Sequence, residues 1–170
     1  MDTKLEQIVK ALQDKFKLQW EEFRGEAHIF TGKEQIVDVL TWLRDQQGFE
    51  LLSAMTAVDY HPQEEPRFHV IYQLTSLANN VSLMLRVPVS GAQPEVPTAT
   101  GVYGNANWRE REIYDMFGVR FAGHPDLRRI LMPSEYEGHP LRKDHPLGYE
   151  EPQFTFNLEE IDLRKPYAKD

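Results

Sequence analysis

Three strand-like runs in the middle of the chain, Phe49–Tyr60, Arg67–Thr75 and Val81–Val89, limit the possible folds more than any other feature. Each run is rich in β-branched and aromatic residues. Each is separated from the next by a short breaker, first the Pro/Glu-rich His61–Pro66 and then the turn candidate Ala78-Asn79-Asn80. Connections this short bring the chain back beside itself, so the runs predict an antiparallel meander. One face of such a sheet must be covered, and the cover lies upstream. Leu5, Ile8, Val9, Leu12 and Phe16 recur at helical spacing behind a Thr3-Lys4-Leu5-Glu6 capping box, which predicts a helix from about residue 4 to residue 16. Leu18–Arg24 and Glu26–Thr31 alternate around Arg24-Gly25-Glu26, a hairpin whose turn uses the glycine. A second capping box, Thr31-Gly32-Lys33-Glu34, precedes the stripe Ile36, Val37, Val39, Leu40 and Leu43, with Gly48 placed as a C-terminal cap. The expected class is α+β: a mostly antiparallel sheet with amphipathic helices on one face, followed by an extended irregular C-terminal arm.

Ser90–Pro97 reads as a connector, and Thr98–Gly104 as a possible short helix. Regular periodicity fades beyond Gly118, and six of the 11 prolines lie at or after residue 125. The expected organisation is therefore an α+β domain over 1–118 and a docking arm and tail over 119–170, mobile in isolation from about residue 122 onward. The longest uncharged apolar stretch, Leu51–Val58, is too short to cross a bilayer. The first residues show no secretory signal, which makes the cytoplasm the default compartment. Cysteine is absent, so disulfides, Cys-ligated zinc, all-cysteine iron–sulfur ligation and thiol nucleophiles are excluded. An acidic balance, net −8 with a pI near 5.3, argues against nucleic acid as a partner.

Charge is dense but balanced in Trp108–His145, where seven basic and seven acidic residues cancel and leave the whole net charge elsewhere. Asn107 is placed to cap a helix of about ten residues, with Glu110 at its third position and Gly118 past its end. With Trp108 set at 0° on a helical wheel, Arg109 falls at about 100°, between Met116 and Ile113, and Glu110 at about 200°, between Phe117 and Tyr114. Both charges then sit inside an apolar face, where a charge must be paired. Two readings stay open. The pairing partners are either residues of the following arm, such as Asp126, Arg128 and Arg129, or residues of another protein. The arm favours the second in part, because Leu127, Ile130, Leu131, Met132, Tyr136 and Leu141 give an irregular segment more apolar surface than a soluble tail needs. The expected partner interface is Arg109, Glu110, Tyr114, Phe117, Arg128, Arg129, Met132, Tyr136, Arg142 and Lys143. Charge reversal at Glu110 or Arg128 is expected to weaken assembly and spare the fold.

Other constellations are less specific. His124, His139 and His145 lie near Asp126, Glu135 and Asp144 but lack metal-ligand spacing, and each His precedes a proline, which favours turns. Asp59, Tyr60 and His61 have no positioned nucleophile beside them and read as a strand-end loop. Gly101 and Gly104 match no phosphate-binding loop. No catalytic, cofactor-binding or metal-ligating residue is expected.

Glu110-Arg111-Glu112-Ile113-Tyr114-Asp115-Met116-Phe117-Gly118, Gly123-His124-Pro125-Asp126-Leu127-Arg128-Arg129-Ile130-Leu131-Met132-Pro133, and Gly138 with Pro140-Leu141-Arg142-Lys143-Asp144 together resemble the thirty-kilodalton subunit of respiratory complex I, which is lettered C in bacteria. The motifs cover about a quarter of the chain. Upstream the likeness rests on the order of elements and on Thr56-Ala57-Val58-Asp59-Tyr60. The resemblance implies a cofactor-free structural subunit in the hydrophilic arm of a proton-translocating NADH:quinone oxidoreductase, peripheral on the cytoplasmic side of the inner (plasma) membrane. It also implies FMN and iron–sulfur clusters in partner subunits, and docking onto the hydrogenase-like D subunit at the quinone site and onto cluster-bearing neighbours. Plastoquinone-linked complexes and membrane-bound hydrogenases hold homologous subunits, and His145-Pro146-Leu147-Gly148-Tyr149 is more similar to the respiratory version. From a different class, a small free-standing enzyme would draw on the His/Asp/Glu set of 124–145.

Overall fold

The computed structural model describes residues 3–146, so the tail from 147 lies outside the described residues. Helix α1 (Thr3–Phe16) buries Leu5, Ile8, Val9 and Leu12. Strands β1 (Gln19–Phe23) and β2 (Glu26–Phe30) form the hairpin, whose turn places both Arg24 and Gly25 at positive φ. That backbone matches the twist of the strands. Helix α2 (Ile36–Gln47) ends at Gly48, which adopts φ 69° and donates its N–H to the Leu43 carbonyl.

The meander follows as β3 (Leu51–Asp59), β4 (Phe68–Ser76) and β5 (Val81–Val89), paired antiparallel. Phe68, Val70, Tyr72 and Leu74 of β4 and Leu83, Leu85 and Val87 of β5 are fully buried beneath the helices. Losing one such leucine to alanine costs about 2–5 kcal/mol. Beyond the predicted meander, β2 joins β5 in parallel, giving the five-stranded order β1-β2-β5-β4-β3.

Four local expectations give way to tertiary contacts. Thr31 caps nothing: it is buried, its N–H pairs with the Arg86 carbonyl as an extension of the sheet, and Gln35 stands at the start of α2 with no side-chain cap. Thr98–Gly104 forms turns and not a helix, because Tyr103 and Asn105 reach back to the Phe49 and Leu52 carbonyls. Helix α3 (Ala106–Phe117) therefore begins earlier than predicted, and Asn107 lies within it. Past its Gly118 cap, Arg120–Ala122 forms β7, paired in parallel with β6 (Glu95–Pro97), where the sequence shows only irregular chain. Gly118 combines φ 74° with close approach, since a Cβ there would run into His139 and Arg142. Among the described residues no helix is long and apolar enough to cross a membrane.

Candidate functional site

Residues 123–146 wrap back over α3 and are held by buried carboxylates. Asp115, with no solvent exposure, is the first anchor. Its Oδ2 accepts the N–H groups of Ile130, Leu131 and Met132 at 3.0, 2.8 and 2.9 Å, and its Oδ1 accepts Arg129 Nη1 at 2.6 Å. Burial alone would raise this carboxyl's pKa, but the Met132 N–H, the Arg129 guanidinium and the other two N–H groups outweigh it and hold the pKa below the ordinary range. Arg129 also donates to the Tyr136 and Gly138 carbonyls, and a His139 ring nitrogen lies 2.9 Å from the Asp115 carbonyl.

Asp59, at the end of β3, is the second anchor. It accepts two hydrogen bonds from Arg67 at 3.0 Å each, the His61 N–H, and the Lys143 N–H of the arm at 2.9 Å. Burial opposes ionisation here too, yet these donors bring the pKa down to about 2. Arg67 extends the cluster to Asp144 at 2.7 Å.

Glu110 is the third buried acid and the least well served. Thr98 Oγ1 and the Ala99 N–H donate to its two oxygens at 2.5 and 2.6 Å, and His124 Nε2 stands 3.9 Å away. Burial dominates and raises the pKa to about 7. His124 Nε2 faces the Asn107 carbonyl at 3.2 Å while its Nδ1 accepts the Asp126 N–H at 3.0 Å, a network that assigns the neutral Nε2–H tautomer. The Tyr72 hydroxyl, also buried, has no hydrogen-bond partner among the described residues.

The residues expected at a partner interface divide into two groups. Arg109, Arg128 and Lys143 are exposed; Arg109 approaches Glu112 at 3.6 Å and Arg128 binds Asp126 at 2.8 Å. The others turn inward to differing degrees. Glu110 is wholly internal, so reversing its charge would strike the fold and not only assembly. Phe117 is buried, Tyr114 lies edge-on to His139, and Met132 packs on the core. The Tyr136 hydroxyl lies 3.0 Å from His145 Nε2, and Arg142 donates to the Phe117 carbonyl at 2.6 Å. Of the two charges placed on the apolar face, Arg109 is in fact exposed and meets Glu112, whereas Glu110 is buried and finds Thr98 and Ala99, not Asp126, Arg128 or Arg129. Sequence reasoning missed Asp115 as an anchor because the wheel sets it beside Trp108, a residue 58% exposed. The histidines of 124–145 are dispersed along the arm, and among the described residues no three His, Asp or Glu side chains converge as metal ligands.

Residues 29–151 match the family model described as respiratory-chain NADH dehydrogenase, 30 Kd subunit. The chain belongs to that family. The C subunit of NADH-quinone oxidoreductase from a Roseiflexus species is 48% identical over 170 residues, covering 99% of this chain and 97% of the relative. The same-named protein of Trichlorobacter lovleyi is 48% identical over 142 residues, 82% of this chain and 88% of its own. Among solved structures, the trypsin-resistant fragment of Nqo5 superposes with a TM-score of 0.66 at 32% identity, over 74% of this chain and all of the fragment. A chain of an archaeal respiratory membrane complex, the membrane-bound sulfane sulfur reductase, shares the fold with a TM-score of 0.72 at 22% identity, over 98% of this chain and 96% of that one. As a member of the 30 Kd subunit family, the chain works with the other subunits of an NADH-quinone oxidoreductase.

Proposed function

We propose that this chain is a cofactor-free structural subunit that docks, through α3 and the arm from residue 119 onward, onto the D subunit at the quinone site and onto cluster-bearing neighbours. Its place is the hydrophilic arm of a proton-translocating complex, peripheral on the cytoplasmic side of the membrane. The observation that carries this reading is the arm itself: Asp59 and Asp115 direct their charge at backbone N–H groups of the arm, which spreads an irregular segment over α3 in a defined shape. Groups used in this way are fully engaged in structure. The His/Asp/Glu set of 124–145 is likewise divided among separate contacts, which favours docking over a free-standing enzyme.

The test is affinity purification of the tagged chain from native membranes at low salt, with mass spectrometry and an NADH:quinone reductase assay on the eluate. Co-elution of the quinone-site and cluster-bearing subunits with activity is the expected result. Recovery of the chain alone from intact complex would overturn it. Charge reversal at both Arg128 and Lys143, which are exposed, is expected to reduce that co-elution at unchanged thermal stability.

A further inference from the structure

The anchors hold an exposed apolar surface where α3 meets the arm. Trp108 on α3 is 58% exposed, and on the arm Leu131 is 62% and Ile130 37% exposed. Arg111 joins the two elements. Its guanidinium lies 5.4 Å from the centre of the Trp108 ring, and its Nε and Nη2 donate to the Arg128 and Arg129 carbonyls at 3.2 Å each. The backbone of Ile130 and Leu131 is fixed because Asp115 binds both N–H groups, so their side chains are presented outward from a held segment. Single exposed apolar residues are ordinary on a soluble protein, but a tryptophan, an arginine and two aliphatic residues along one helix–arm seam have the composition of a binding hot spot. Holding them in place beforehand lowers the entropy cost of association.

Charge narrows the occupant. The neighbouring cations are matched, Arg109 by Glu112, Arg128 by Asp126 and Arg129 by Asp115. Arg111 donates to carbonyls, and among the described residues no carboxylate lies within ion-pair distance of it. A second copy of this chain in a two-fold contact would set this patch against itself and bring Arg111 towards Arg111, which like-charge repulsion opposes. A single unmatched arginine is too little for a lipid surface or a nucleic acid backbone.

We infer that Trp108, Arg111, Ile130 and Leu131 form the central contact with a neighbouring subunit of the complex, one that offers an apolar socket edged by a carboxylate facing Arg111. This rests on the docking reading above and adds to it the residues and the partner's chemistry. The variant Trp108→Ser/Leu131→Ser is made in the full chain, and capture of the neighbouring subunits is compared with wild type. Capture is expected to fall about thirtyfold, the loss typical of hot-spot residues. The thermal midpoint of the purified variant should stay within a few degrees of wild type, because both side chains are largely in water. As a variant-free measurement, hydroxyl-radical footprinting of wild type should show Trp108, Ile130 and Leu131 oxidised in the isolated chain and protected severalfold in the intact complex. Equal oxidation in both states, or full capture by the folded variant, overturns the patch. If wild-type chain itself captures no neighbour, the docking reading fails with it.

Discussion

Asp115 and Glu110 lie on the same helix, and neither has solvent exposure, yet their surroundings drive the two carboxyls in opposite directions. Asp115 faces the arm, where three backbone N–H groups and a guanidinium converge on it. Glu110 faces the Thr98–Ala99 turn and has one hydroxyl and one N–H. Burial is therefore not what separates a carboxylate that organises structure from one that holds a proton; the supply of donors is. The arm side of α3 supplies them in excess, whereas the sheet side supplies barely enough.

The most severe way to break this contrast is Asp115→Ala, which strands three arm N–H groups without an acceptor and leaves Arg129 with carbonyl partners but no carboxylate. A loss on the order of 4 kcal/mol is expected in urea unfolding of the purified chain. A loss below about 1 kcal/mol would mean that the arm is held by other contacts. Glu110→Gln sharpens it. The native Glu110 pKa, about 7, exceeds the ordinary 4.5, so this group's contribution to stability is complete below pH 4.5 and is lost as pH rises through 7. The glutamine amide does not titrate, so the substitution removes that slope, on the order of 3 kcal/mol across the window, while a rotated Thr98 hydroxyl can accept from the new amide. Unfolding free energies for both proteins between pH 4 and 8 decide the matter, and an unchanged slope would show that Glu110 is not its source. Asp115 and Asp59 behave with opposite sign, losing their contributions only as pH falls below 3.8. The smallest effect belongs to Arg128→Ala, whose exposed pair with Asp126 is worth less than about 0.5 kcal/mol to the fold. A thermal midpoint several degrees lower would show that the arm's outer surface is also structural.

How much of this was legible follows from the range of the interactions. Helices α1 and α2, the hairpin and the meander repeat at 3.6 or 2 residues, and a local pattern was enough to read them. Parallel pairing of β2 with β5 leaves no local mark, because nothing within Glu26–Phe30 specifies a strand so distant in sequence. Strands β6 and β7 are three residues each, shorter than any period can show. The expected caps failed for tertiary reasons: the Thr31 N–H is drawn to the Arg86 carbonyl, Glu110 turns to the Thr98–Ala99 turn, and Asn107 lies inside α3 once the helix starts at Ala106. The wheel misplaced Asp115 because it assumes one covered face, and α3 has two, the sheet on one side and the arm on the other. The family could be read from the arm motifs themselves, since most of their polar residues are the same groups that build the arm's contacts.

The parallel β2–β5 pair also orders events on the ribosome. The hairpin β1–β2 is synthesised early, but the strand edge it must join is the last of the meander to emerge. Until then the hairpin is an isolated two-stranded ribbon, marginal in water, with Ala27 and Ile29 lacking the core that buries them completely in the finished fold. A nascent chain arrested before Val81 would therefore hold its first strands unsatisfied, and holdase chaperones would find it there.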